Sequence, residues 1–287
     1  MEWLNRLGAA IDYIENNLEQ EISYDEAANI AHCSTYYFQR MFSYVAGIPL
    51  SEYIRRRRMT QAAFDLQSTD ARVLDVAIKY GYNSPTAFNR AFQSIHGIAP
   101  ISAKSQGKLL NAYPPIKFTI KITGGRAMEY KIEEKQAIRV VGVRIPLVKN
   151  IEENMLQIPR FWEECCQKGL TPKIIQLIEK EPYGLLGVAV YQEPDNCYYY
   201  IAAATEQPVP QGMFECHIPA STRVIFTKSD LTAEELKPTV QNIFKTFMTE
   251  WLPSSGYSYA ELPDIEVYQY DETTDKHSLE VWIAIKK

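Results

Sequence analysis

The chain has 287 residues, 46% hydrophobic, 23% charged and 12% aromatic, which excludes wholesale disorder, collagen-like repeats and coiled-coil fibres. At ~100–200 residues per domain the length predicts two domains, and no apolar run approaches the ~18–20 residues of a membrane span. The formal net charge of −5 argues against a nucleic-acid partner only when taken whole. Residues 1–25 hold one base and six acids, whereas residues 26–107 hold nine bases and five acids. A locally basic segment can dock on phosphates, because salt screens charges beyond ~8–10 Å.

The start, Met1-Glu2-Trp3-Leu4-Asn5-Arg6, has no basic stretch followed by an apolar core, so no secretory signal is read there. Leu4, Leu7, Ile11, Ile14 and Leu18 then mark one amphipathic helix. Ser23 with Glu26 is a capping-box signature for the next helix. A shift of 50 residues matches this region to itself: Asp25/Asp75, Ala27/Ala77, Ser34/Ser84, Phe38/Phe88, Arg40/Arg90, Phe42/Phe92, Gly47/Gly97 and Ile48/Ile98. So short a unit predicts a helix–turn–helix, present twice. Ser34 and Ser84 are placed to cap the second helices, and the phenylalanines at i, i+4 should face the core. Arg40 and Arg90, about 200° round the helix from the first phenylalanine, should face outward.

Two such helices on one unit would enter successive major-groove segments about one turn, ~34 Å, apart. The candidate readers are Thr35, Tyr36, Gln39 and Arg40, then Thr86, Asn89 and Arg90. Arg, Asn and Gln carry the paired donors and acceptors that read guanine or adenine edges. The alternative is a helical protein-interaction domain with solvated arginines. Arg55-Arg56-Arg57-Arg58 covers every face of one helical turn, so not all four reach DNA. Pairing with Glu52 or Asp65 competes, and at least one is expected on a phosphate or the acidic first helix.

The first domain spans 1–106. Residues 107–125, with Gly107, Pro114, Pro115 and Gly124-Gly125, form a linker by composition. Residues 126–287 change texture. Ile138–Val143, Gly187–Tyr191, Tyr198–Ile201 and Val281–Ile285 read as strands, with helices near 152–168 and 233–251. Phe161-Trp162…Gly169…Val190-Tyr191-Gln192 loosely repeats as Phe247…Trp251…Gly256…Val267-Tyr268-Gln269. The fold class is therefore an all-α double helix–turn–helix domain followed by an α+β domain of duplicated strand-helix-strand-strand halves.

Ser34-Thr-Tyr-Tyr-Phe38-Gln-Arg40-Met-Phe42, Gly47-Ile-Pro-Leu-Ser-Glu-Tyr53, Asp75-Val-Ala77-Ile-Lys-Tyr-Gly81, Ser84-Pro-Thr-Ala-Phe88-Asn-Arg90-Ala-Phe92 and Gly97-Ile-Ala-Pro100 resemble the AraC/XylS-type transcription regulators. The resemblance covers roughly residues 5–106 and implies seven helices with base contacts from both recognition helices. It departs after Pro100, where Ala103-Lys104 replaces the usual aromatic–Arg pair, leaving a point charge and a looser helix end. The second domain resembles the GyrI-like effector-binding modules, through its duplicated halves and the stretches Trp251–Tyr257, Ile265–Tyr268 and Leu279–Ile285. That implies a cleft for bulky, often cationic aromatic compounds, with aromatic walls and a buried glutamate.

Glu266 is the candidate anchor, since Glu266 and Tyr268 share one sheet face while Ile265 and Val267 take the other. Glu280 is the reserve. Trp162, Tyr191, Trp251, Tyr268 and Trp282 are candidate walls, each equally a candidate for core. No nucleophile elbow, phosphate loop, HExxH or metal-ligand cluster occurs, so no catalytic residue, metal or cofactor is assigned. The five cysteines lack CxxC spacing and read as reduced thiols of a cytoplasmic protein, with Cys165-Cys166 packing on a helix. The expectation is a ligand-responsive regulator whose partners are a double-stranded operator and a small-molecule effector, with no membrane. Its rivals are a DNA-binding protein whose second domain takes a protein partner such as RNA polymerase, and a DNA-tethered enzyme, such as a weak Glu–Tyr hydrolase of a reactive small molecule.

Overall fold

The computed structural model describes residues 2–105, 107–118, 128–148, 151–191 and 197–287, with side chains from Asn5 onward. The chain divides into two compact units, Met1–Ile122 and Thr123–Lys287. The first unit holds seven helices among the described residues: α1 (Glu2–Asn16), α2 (Tyr24–Ile30), α3 (Thr35–Ala46), α4 (Leu50–Ser68), α5 (Val73–Lys79), α6 (Pro85–His96) and α7 (Pro100–Ala103). The side chain of Leu4 lies outside the described residues, while Leu7, Ile11, Ile14 and Leu18 are all buried.

The repeat is real but its register changes at the turn. The helix pair α3 and α6 is offset by 50 residues (35 to 85), as expected, while α2 and α5 are offset by 49 (24 to 73). Ala28, not Ala27, is thus the counterpart of Ala77: Cys33 N–H donates to the Ala28 carbonyl as Tyr82 N–H does to Ala77. The second turn carries one more residue between its left-handed position and its capping serine. That position is His32 (φ 57°) in the first unit and Gly81 (φ 82°) in the second.

Ser34 and Ser84 cap α3 and α6 by accepting from the Tyr37 and Ala87 amides, at 3.3 and 3.4 Å. Gly47 and Gly97 close the same helices at φ 72° and 73°. Phe38, Phe42, Phe88 and Phe92 are each 0% exposed, and each contributes about 1.5–3 kcal/mol by leaving water.

The four arginines of α4 have four different fates. Arg55 and Arg56 both pair with Glu52. Arg57 is 4% exposed and forks onto the Glu15 carboxylate of α1, at 2.7–3.0 Å. Arg58 donates to the carbonyls of Leu18 and Gln20, 2.9 and 2.6 Å away, closing the chain end beyond α1. The Arg57–Glu15 pair is the expected contact with the acidic first helix; removing either partner alone strands a buried charge, at a cost of about 3–5 kcal/mol. Asp65 pairs with Lys79 instead of an arginine.

The linker expectation is corrected over its first half. Leu110 and Tyr113 pack against the core of the second helix–turn–helix. Tyr113 N–H donates to Thr60 Oγ1, the Tyr113 carbonyl accepts from Arg57, and Asn111 Nδ2 donates to the Ile95 carbonyl. The Arg56 guanidinium lies 5.0 Å from the Tyr113 ring. Proline and glycine marked this stretch as non-helical, which it is; its apolar residues nonetheless tie it down as a strap on α4. Residues 119–127, which include Gly124-Gly125, lie outside the described residues. Lys104 is also anchored, with Nζ 2.9 Å from the Ala71 carbonyl, so the end of α7 is tied to the α4–α5 turn.

The second unit comprises β1 (Tyr130–Lys135), β2 (Ile138–Pro146), α8 (Ile151–Gln167), α9 (Leu170–Ile175), β3 (Leu185–Val190), β4 (Tyr198–Ala204), β5 (Phe214–Ile218) and β6 (Ser221–Leu231). It continues with α10 (Ala233–Thr246), a π-helical turn (Phe247–Trp251), α11 (Leu252–Ser255), β7 (Ser258–Tyr259), β8 (Asp264–Asp271) and β9 (Lys276–Lys286). The strands form one antiparallel sheet ordered β1-β6-β9-β8-β3-β4-β2-β5, with β7 on β9. The halves β2-α8-β3-β4 and β6-α10-β8-β9 have matching orders and meet where β3 pairs with β8, as the duplication predicts. They exchange edges: β1 pairs with β6, and β5 with β2. One sheet face carries Val141, Ile201 and Ala203 under Cys165 and Ile174 of α8 and α9. The other carries Val140, Val188, Ile225, Ile265 and Trp282.

Candidate functional site

Two constellations stand out, one in each unit. On α6, Thr86, Asn89, Arg90 and Gln93 are all exposed, and their i, i+3, i+4, i+7 spacing makes them one polar stripe. The helix begins at a serine cap and is anchored underneath by Phe88 and Phe92, so that stripe is rigidly presented. The α3 candidates differ. Arg40 is 7% exposed and Gln39 5%, while Thr35 and Tyr36 are half-buried. This corrects the outward placement of Arg40. Seven consecutive residues, Tyr37–Ser43, are buried, so burial on α3 does not follow the phase of its phenylalanines. The Arg40 guanidinium sits 5.6 Å from the Tyr44 ring one turn on, Gln39 Nε2 turns back to the Thr35 carbonyl, and the Thr35 hydroxyl donates to Asp25.

The second constellation lies at the seam of the duplicated halves. Glu266 on β8 stands directly opposite Gly187 on β3. Its Oε2 accepts from the Tyr268 hydroxyl at 2.8 Å and from the Tyr199 hydroxyl at 3.0 Å. Trp162 Nε1, on α8, donates to the Tyr199 oxygen at 3.0 Å, and the Trp162 ring stands edge-on to Tyr268 at 5.1 Å. An indole N–H only donates, so Tyr199 accepts from Trp162 and directs its own proton at Glu266. The outcome is a carboxylate ringed by two phenols and an indole, on the sheet face under α8.

Of the residues expected here, Glu266, Tyr268 and Trp162 come together, and Tyr191 borders the same cluster half-buried. Trp251 does not join them. It stacks on Phe247 at 5.6 Å and meets Phe226 and Tyr130 edge-on, in a separate cluster over β6. Trp282 belongs to the other face: it pairs across β9 and β8 with Ile265, is 1% exposed, and donates to Glu280 Oε2 at 2.7 Å. Strand alternation thus places both Trp282 and the reserve Glu280 away from Glu266. Sequence reasoning missed Tyr199 and Gly187. The run Tyr198-Tyr199-Tyr200 shows that Tyr199 opposes its neighbours, but only the register of β4 on β3 tells which face it takes.

Burial pushes the Cys165 thiol up to about 11, in keeping with a packing role. Among the described residues no group of three or more His, Cys, Asp or Glu lies together to hold a metal ion, and no helix is long and apolar enough to cross a membrane.

Comparison with known proteins assigns each unit to a domain type. Residues 128–286 match the GyrI-like small molecule binding domain, and residues 27–106 match a helix-turn-helix domain. The Tn10 TetD protein of Escherichia coli is 42% identical over 88 residues, 31% of this chain and 64% of TetD's own length. The transcriptional regulator Rob of Salmonella typhimurium is 25% identical over 279 residues, 91% of this chain and 89% of Rob. A putative transcription regulation protein from Staphylococcus aureus superposes with a TM-score of 0.48 at 18% identity, over 56% of this chain and all of that one. The chain spans just under two thirds of TetD's length, yet nearly all of Rob's. It belongs to the GyrI-like family, and its amino-terminal unit is the helix–turn–helix module of AraC-type transcription regulators.

Proposed function

We propose that the protein is a sequence-specific, effector-responsive transcription regulator and not an enzyme. Its α6 stripe reads base edges, and its second unit binds a flat aromatic cation at Glu266. The observation that carries this reading is the Glu266 carboxylate held among Tyr199, Tyr268 and Trp162. Aromatic faces and a carboxylate together favour a desolvated organic cation over a neutral molecule of the same shape. The DNA side rests on Thr86, Asn89 and Arg90, all exposed on α6.

Calorimetry of the full chain with N-methylquinolinium and its neutral isostere methylnaphthalene tests the ligand half. Glu266→Gln keeps the side-chain shape and removes the charge. It should weaken the cation at least tenfold, roughly the 1.4 kcal/mol of one good ionic contact, and leave methylnaphthalene within about twofold. Equal losses for both ligands, or none for either, would place the anchor elsewhere.

A further inference from the structure

Gly187 is a glycine in the interior of a central strand, a position where glycine weakens pairing and usually marks a close approach. Its φ is not left-handed, so backbone conformation does not require it. What requires it is the crossing above it. Tyr199 lies on β4 and Glu266 on β8, with β3 between them. Neighbouring strands run ~4.8 Å apart, so a contact between these two side chains must pass over β3. Gly187 is the residue passed over: it pairs with Glu266 on one side and Ile201 on the other. A Cβ built there would stand 2.3 Å from the Tyr199 hydroxyl, 2.7 Å from Glu266 Oε2 and 3.2 Å from Tyr199 Cζ. Real side-chain carbons do not approach oxygens so closely, so any larger residue must move the hydroxyl, the carboxylate, or both.

We infer that Gly187 is the positioning and specificity-determining residue of this site: by lacking a side chain it lets the Tyr199 hydroxyl lie flat against the Glu266 carboxylate, and so fixes where a bound cation finds its charge partner. The inference rests on the reading of Glu266 as the cation anchor. It adds that the cation preference is set from beneath, by the sheet. The chain of donors is ordered by this arrangement, from Trp162 to Tyr199 to Glu266, with Tyr268 closing from the same strand as the carboxylate. Nothing in the backbone of β3 opposes alanine: Leu186 and Val188 point to the other face and keep their packing.

Three variants of the full chain test it, each titrated with N-methylquinolinium and methylnaphthalene, with thermal denaturation alongside. Gly187→Ala should lower the cation-to-neutral preference about tenfold, the worth of one hydrogen bond to a charged group. Tyr199→Phe removes the hydroxyl without crowding and should lower the preference to a similar extent. In Gly187→Ala/Tyr199→Phe the 2.3 Å clash is gone and the remaining 2.7 Å approach is to Glu266 Oε2, the far end of a flexible side chain, which is present in Gly187→Ala as well, so the double variant should lose no more than Gly187→Ala alone. That non-additive pattern is specific to a shared contact. Should Gly187→Ala fail to fold, the double variant must regain a cooperative transition, and its failure to do so would overturn the inference. So would additive losses, or an unchanged preference in Gly187→Ala while Glu266→Gln abolishes it. If Glu266→Gln itself leaves the preference intact, it is the anchor reading that fails.

Discussion

Arg90 projects from α6 into solvent, and among the described residues no carboxylate holds it. Arg40, its counterpart in the repeat, is 7% exposed, with its guanidinium 5.6 Å from the Tyr44 ring. Equal positions in a sequence repeat therefore carry unequal physics. Arg90→Ala should leave thermal stability nearly unchanged and cost about 1–3 kcal/mol of binding to a selected operator, relaxing preference in one half of the site. Arg40→Ala should instead lower the melting temperature, because the arginine stem packs as well as pairs. Equal operator affinity for wild type and Arg90→Ala in the same salt would refute the assignment of α6. His96 supplies a pH signature of the same unit. Its ring is 5% exposed, 4.3 Å from Phe92, with Nε2 at 3.1 Å from the Met59 carbonyl. Burial holds its pKa below the usual 6.5, only partly offset by that carbonyl. The folded protein then keeps the ring neutral at a pH where the unfolded chain takes up a proton. Stability is intact above about pH 6.5 and falls as the pH drops through the folded value. Urea midpoints of His96→Gln should fall less steeply below that pH than those of wild type; parallel slopes would contradict the account.

At the scale of elements, the strap over residues 109–116 behaves as part of the helical unit. Ending the chain at residue 106 removes Leu110 and Tyr113 from the core and takes their partners from Thr60 and Arg57. A fragment 1–118 should accordingly be about 2–4 kcal/mol more stable to urea than 1–106. Identical midpoints would show the strap to be passive. This element was not legible in the sequence, because Pro114-Pro115 and Gly107 declare irregular backbone and say nothing about where it lies. The count of seven helices came from the family resemblance, while α2, α3 and α6 were legible at their starts from capping serines, and α3 and α6 also from closing glycines and paired phenylalanines. The one-residue change in repeat register was not: Ala27 and Ala28 both match Ala77 by identity, and only the hydrogen bond from Cys33 to Ala28 decides between them. In the sheet, alternation placed Glu266 with Tyr268 correctly. Trp282, named as either wall or core, proves to be core on the other face, because sharing a face depends on how β9 registers on β8. Tyr199 and Gly187 meet Glu266 through two further strand pairings that no local pattern encodes.

For the whole molecule, the proposed function joins a reader of DNA to a sensor of an aromatic cation, two units whose binding equilibria are thermodynamically linked in a regulator. Linkage demands reciprocity: a ligand that alters operator affinity has its own affinity altered by operator to the same factor. The most direct test is operator affinity of the full chain, by fluorescence anisotropy at fixed salt, with and without saturating N-methylquinolinium, for wild type and Glu266→Gln. The account predicts a ligand-induced change of about 5–150-fold in the wild type, the usual range of such couplings. It predicts no change in Glu266→Gln at the same ligand concentration, with its ligand-free operator affinity intact. A wild-type affinity that stays the same at saturating cation, or a Glu266→Gln protein that responds as fully as the wild type, would contradict it.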